Sequence, residues 1–208
     1  CARLSCPTAP GRTAASARPA CADVAVILAS ASPRRSQLLR GLGISFDVRP
    51  ANCDEQCAER DPGRLVCELA RRKALAVTAD AQDTVIAADT VVCLDGDILG
   101  KPHDEGEARA MLRRLSGNRH TVFTGVAVRR ADRLLVRADQ TDVYFRSLPD
   151  AYIERYVQSG EPLDKAGAYG IQGVGGAFVH RIEGDFYNVM GLPLCTLCKM
   201  LEEIGAQA

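Results

Sequence analysis

Several charged residues in this chain stand where local rules would not place them. The run Ala25-Val26-Ile27-Leu28-Ala29-Ser30-Ala31-Ser32-Pro33-Arg34-Arg35 reads as a buried strand leading into a helix, with Ser32 as N-cap and Pro33 at the first helical position. Arg34 and Arg35 then fall in the first turn, where the helix dipole disfavours cations. A bound anion removes the misfit. Free backbone N–H groups, the hydroxyls of Ser30 and Ser32 and two guanidinium groups together have the chemistry of a phosphate site. The alternative is a surface helix with solvated arginines.

Lys73 lies in the apolar stripe of a second helix, one turn after Leu69, with Arg71 and Arg72 pointing elsewhere. It either meets an anion inside or snorkels to the edge. Asp89 interrupts Val85-Ile86-Ala87-Ala88-Asp89-Thr90-Val91-Val92, otherwise a central strand. A carboxylate there needs an ion pair, a catalytic duty or a metal. Asp95-Gly96 is a hairpin signal, and the returning chain brings Lys101 back towards Asp89, unless Lys101-Pro102 is simply a polar loop. Asp54-Glu55 adds carboxylates on the same side, or surface charge.

Lys165 to Gly176 holds five glycines, which allow close backbone approach to a ligand or form a tight turn. It is neither a G-x-G-x-x-G turn nor a P-loop. Gln172 offers an amide to a base or phosphate. Asp164-Lys165 reads as an exposed pair. His103, His120 and His180 lack ligand spacing and read as structural or surface residues. No Ser–His–Asp arrangement is visible.

The elements that must carry these groups alternate between strand and helix from Val24 onward. Strands are expected at 24–29, 44–48, 85–94, 98–99, 122–128, 134–136, 143–145 and near 178–179. Helices are expected from Ser32 to about Gly41 (buried side Leu38, Leu39, Leu42), from Pro62 to about Ala79, from the capping box Asp104-x-x-Glu107 to Gly117, from Ser147-x-x-Asp150 to Gly160, and over Leu194–Leu201. The class is mixed α/β.

The chain has 208 residues, no formal net charge and 25% charged residues. That balance argues against a broad basic footprint for nucleic acid or for acidic membranes. No apolar run spans a bilayer. Nine cysteines, an odd number partly set in apolar segments, fit reduced thiols and a cytoplasmic setting better than a disulfide framework. Residues 1–23 carry three prolines and no acid before Asp23, and read as a disordered extension ahead of one domain over 24–208.

Taken in order, Leu28-Ala29-Ser30-Ala31-Ser32-Pro33-Arg34-Arg35, Asp54-Glu55, Leu69-Ala70 with Lys73-Ala74, Ala88-Asp89-Thr90-Val91-Val92, Leu99-Gly100-Lys101-Pro102, Leu115-Ser116-Gly117, Thr124-Gly125-Val126, Gly160-Glu161-Pro162, Asp164 to Gly173 and Gly191-Leu192-Pro193 resemble the Maf family of nucleoside triphosphate pyrophosphatases. The segment Lys165-Ala166-Gly167-Ala168-Tyr169-Gly170-Ile171-Gln172-Gly173 is similar to the subgroup acting on dTTP and UTP. Ala87 stands where the family usually has Gly, and Asp185 where Ser is common.

The resemblance implies a mixed twisted sheet in two lobes with a central cleft, like the inosine triphosphatases, and a homodimer. It implies a nucleoside triphosphate substrate and a divalent metal, Mg²⁺ or Mn²⁺, with Glu55 and Asp89 as ligands. Arg34, Arg35, Lys73 and Lys101 would supply positive charge, and Ser30 and Ser32 hydrogen bonds to phosphate. Asp89 would be the general base, with Arg34, Thr90 and Gln172 at positions linked to base selection. A 7-methyl-GTP pyrophosphatase and a non-catalytic regulator of division are the alternatives.

Overall fold

The computed structural model describes residues 25–206. The extension expected over residues 1–23 lies outside them. One mixed sheet organises the chain. Strand β1 (Val26–Leu28) lies parallel to β2 (Asp47–Val48) and to β3 (Thr84–Leu94). From β3 the sheet continues antiparallel through β5 (Arg119–Arg130) and β6 (Arg133–Phe145) to β7 (Val179–Glu183). The short β4 (Asp97–Leu99) folds back on the end of β3. That hairpin turns through Asp95 and Gly96, both with positive φ, as a two-residue turn of this kind requires.

Helix α1 (Pro33–Gly41) follows β1 and α2 (Pro62–Ala76) precedes β3. Asp61 caps α2 by accepting from the Arg64 N–H, and Asp104 caps α3 (Glu105–Leu115) by accepting from the Glu107 N–H. Helices α4 (Asp150–Gln158), α5 (Phe186–Met190) and α6 (Leu194–Ile204) complete the set. Three 3-10 turns, at Glu161–Asp164, Ala166–Ala168 and Val174–Phe178, shape the glycine-rich segment. No described helix is long and apolar enough to cross a membrane.

Two lobes share this sheet. Near the start of β3, Val85 and Ala87 pack with Ala70 and Ala74 of α2, while Ile86 and Ala88 pack with Leu38, Leu39 and the α6 residues Leu197 and Leu201. Near its end, Val92 and Leu94 join a separate core with α3, α4, Tyr169 and Phe178. Asp89 and Thr90 fall between the two cores, at the waist.

Several sequence expectations for the elements need correction. The strands expected at 134–136 and 143–145 are one 13-residue strand. Its polar middle is matched by polar partners on α6: Arg137 pairs with Glu203, and Thr196 donates to Asp139. Leu42 caps α1 and is 37% exposed instead of buried. Helix α2 stops at Ala76, because Val77 turns extended. Helix α4 starts at Asp150 after Pro149, with no side-chain cap from Ser147.

Candidate active site

Beginning at the sheet, Gly125 is the register partner of Asp89 on the neighbouring strand. A Cβ at Gly125 would stand 2.3 Å from the Val66 carbonyl oxygen of α2. The missing side chain therefore lets α2 lie directly on β5. This close approach delivers Lys73, further along the same helix, to Asp89. Lys73 Nζ donates to Asp89 Oδ1 at 2.5 Å and pairs with Glu55 Oε1 at 2.9 Å. The Lys73 and Asp89 side chains are each 12% exposed, and Glu55 is 61% exposed. Burial pulls the Lys73 ammonium towards neutrality, but the two carboxylates outweigh it and hold its pKa above the ordinary value.

Residue alternation along β3 sends Thr90 to the opposite face from Asp89, towards α1. There the half-buried Arg35 donates Nε to the Gly191 carbonyl at 2.8 Å, Nη1 to Ser30 Oγ at 3.2 Å and Nη2 to Thr90 Oγ1 at 3.0 Å. All three acceptors are uncharged, and no ion pair to Arg35 occurs among the described residues. Burial pushes the Arg35 guanidinium down from its ordinary pKa, against the opposing pull of Asp89. Ser32 takes the N-cap conformation without a side-chain cap bond, so the first-turn N–H donors of α1 are not consumed by it. Ser30 Oγ also accepts from the Ser32 N–H.

Asp89, Lys73, Glu55, Ser30, Ser32, Arg34, Arg35, Thr90, Lys101 and Gln172 all line one cleft between the lobes, with a volume of about 610 Å³. Lys101 is exposed and forms no ion pair among the described residues. Gln172, on the glycine-rich segment, donates across to Gln37 of α1 at 3.3 Å. Asp54 is the expected candidate left out: it is exposed and accepts from the Gln56 N–H beside it.

The pair Asp164-Lys165 is not simply exposed, which corrects the sequence reading. Both residues line the cleft. Lys165 is 12% exposed, and its Nζ donates to the Glu161 carbonyl and to Asp164 Oδ1. Asp164 also faces Arg34 at 3.5 Å. Adjacent opposite charges in a polar stretch gave no signal for this. The tight fold of the glycine segment turns Lys165 inward, since a Cβ at Gly170 would meet its stem at 2.7 Å.

In total, five cationic side chains and three carboxylates line the cleft, a net of two positive charges. The described residues contain no group of three or more His, Cys, Asp or Glu able to hold a metal. Glu55 and Asp89 nevertheless converge on one ammonium through one oxygen each, and Glu55 Oε2 and Asp89 Oδ2 take no part in those contacts. Two carboxylates completed by water and phosphate oxygens are a normal donor set for Mg²⁺. The residues present fit such an ion.

The Maf-like protein family model matches residues 25–204. A dTTP/UTP pyrophosphatase of Anaeromyxobacter dehalogenans (strain 2CP-C) is 52% identical over 185 residues, covering 86% of this chain and 94% of the relative. A dTTP/UTP pyrophosphatase of Aquifex aeolicus is 48% identical over 184 residues, covering 88% and 97%. Among solved structures, a HAM1 protein from Coxiella burnetii overlaps 86% of this chain and 99% of its own at 16% identity, with a TM-score of 0.45, a likeness too low to define a shared fold. With the family model spanning nearly the whole described chain and relatives near half identity over more than nine tenths of their length, this chain belongs to the Maf family.

Proposed function

We propose that the chain hydrolyses dTTP and UTP to the nucleoside monophosphate and pyrophosphate. The named activity of its relatives supports the substrates. The observation that carries the chemistry is the convergence of Arg35, Lys101 and the Lys73–Asp89–Glu55 cluster on one cleft. Water attacks the α-phosphorus, the bond from that phosphorus to the bridging oxygen breaks, and pyrophosphate leaves with the electron pair.

Asp89 receives the water proton, and Lys73 fixes the orientation of its carboxylate through Oδ1. Arg35 and Lys101 offset charge on the phosphates, and Ser30, Ser32 and the first-turn N–H groups of α1 donate to phosphate oxygens. Glu55 and Asp89 would hold Mg²⁺ or Mn²⁺, whose two charges, added to the net positive charge of the cleft, match the roughly four negative charges of a triphosphate. Arg34 and Gln172, which also line the cleft, would contact the rest of the nucleotide.

A panel of dTTP, UTP and 7-methyl-GTP with Mg²⁺, assayed for pyrophosphate and orthophosphate separately, tests this reading. Pyrophosphate from dTTP and UTP is expected. Orthophosphate as first product, or turnover of 7-methyl-GTP alone, contradicts it. The family resemblance also supports a homodimer, twice the 22.3 kDa chain mass in light scattering. The six described cysteines are free, which supports a reducing, cytoplasmic setting.

A further inference from the structure

We infer that Thr124 and Asn188, neither of which lines the cleft, are positioning residues that aim the Arg35 guanidinium at the anion. The inference rests on the reading of the cleft as a triphosphate site. Its ground is the direction of one hydrogen-bond relay. Thr124 Oγ1 lies 2.9 Å from the Asn188 backbone carbonyl, which can only accept, so the Thr124 hydroxyl hydrogen is committed there. Towards Thr90, its register partner 3.0 Å away, Thr124 must then accept, and the Thr90 hydroxyl hydrogen is committed in turn. Thr90 Oγ1 is left with lone pairs, and it accepts the hydrogen bond that Arg35 Nη2 donates at 3.0 Å. Every donor in the chain from Arg35 through Thr90 and Thr124 to Asn188 points the same way.

Asn188 anchors the far end twice. Its side chain is fully buried, and Nδ2 donates to the Val122 carbonyl at 3.0 Å and to Thr141 Oγ1 at 2.9 Å, which pins α5 to β5 and β6. Helix α5 ends at Gly191, whose φ of +102° is one that L side chains rarely adopt and whose carbonyl accepts Arg35 Nε. Two of the three acceptors that hold Arg35 therefore depend on Asn188. Three of five guanidinium donors are fixed by neutral groups, so the charge and two N–H groups remain for an anion. Sequence reading gave neither residue a role, because a threonine in an apolar strand and an asparagine in a five-residue helix carry no charge signal.

The test uses the full chain and inorganic triphosphate, whose capture needs the anion site and no chemistry. Calorimetric affinity is measured for wild type, Thr124→Val and Thr124→Ser, then for Arg35→Met with and without Thr124→Val, alongside melting temperature and KM and kcat for dTTP. Loss of the relay is expected to weaken triphosphate binding about tenfold in Thr124→Val, raising KM more than it lowers kcat. Thr124→Ser is expected to stay within about twofold of wild type. In the Arg35→Met background Thr124→Val should add nothing.

Wild-type affinity in Thr124→Val overturns the proposal. So does an undiminished effect in the Arg35→Met background, or a parallel loss of melting temperature and affinity in both Thr124 variants. Should Thr124→Val fail to fold, Thr90→Val breaks the relay at its half-exposed link and must show the same loss, or the proposal falls. A wild type that binds triphosphate but releases no pyrophosphate refutes the hydrolytic reading and leaves the binding result standing.

Discussion

Asp89 and Thr90 are neighbours on β3 and serve opposite faces of the sheet: Asp89 meets Lys73 of α2, and Thr90 meets Arg35 of α1. The two-residue period of a strand thus divides the work at the waist between the lobes. One face carries the carboxylate that can take a proton. The other carries the acceptor that fixes a cation. A shift of one residue in register would exchange them, costing Lys73 its contact with Asp89 and Arg35 its contact with Thr90.

Asp89→Asn tests the carboxylate face. Lys73 keeps Glu55 as an ion partner, so the chain is expected to remain folded by circular dichroism. If Asp89 is the proposed proton acceptor, its loss should lower kcat by about 10²–10⁴-fold, the usual contribution of a general base. Near-wild-type turnover would remove Asp89 from the mechanism.

Gly125→Ala tests how α2 reaches the sheet. The new Cβ would press on backbone atoms of Val66 and Cys67, none of which can rotate away. Urea denaturation should show a loss of about 1–3 kcal/mol, the usual range for overpacking, together with reduced kcat as Lys73 withdraws from Asp89. A stable, fully active variant would show that the close approach is dispensable.

Asp164→Asn tests the competition at the rim. Asp164 is 62% exposed, so its pairs with Lys165 and Arg34 contribute about 1 kcal/mol or less to stability. Its charge, however, opposes that of a triphosphate in the same cleft. The variant is expected to keep its melting temperature and to lower KM for dTTP by a few-fold. A raised KM would instead make Asp164 a substrate ligand.

Acid stability should report His120. The ring is buried, its Nε2 lies 2.8 Å from the Tyr169 hydroxyl and its Nδ1 has no partner among the described residues. Burial, only partly opposed by Asp142, lowers its pKa from 6.5 to about 4. Between those values the unfolded chain binds the proton and the folded chain does not. Stability from this residue is therefore complete above pH 6.5 and declines as pH falls towards 4, by up to about 3 kcal/mol. His120→Gln should flatten that part of the denaturation profile, and an unchanged slope would assign it to other groups.

Much of the candidate site is legible in the sequence. Lys73 and Asp89 were visible because a charge in an apolar repeat violates a pattern, and each turned out to be the other's partner. Lys101 was visible because a two-residue turn dictates where the chain returns. Lys165 was not, since its inward turn depends on the packing of Gly170 around its stem. Thr124 and Asn188 escaped for a different reason: the role proposed for them lies in hydrogen-bond direction across three strands and a helix. The continuity of β6 escaped because the polar partners of its central residues sit on α6, some 60 residues away in sequence.

Hydrolysis of dTTP in ¹⁸O-labelled water, with both products examined by mass spectrometry, tests the central claim most directly. Attack at the α-phosphorus places the label in dTMP and leaves pyrophosphate unlabelled. Label in pyrophosphate, or its appearance in orthophosphate as the first product, would contradict the assignment of this cleft to α-phosphorus chemistry.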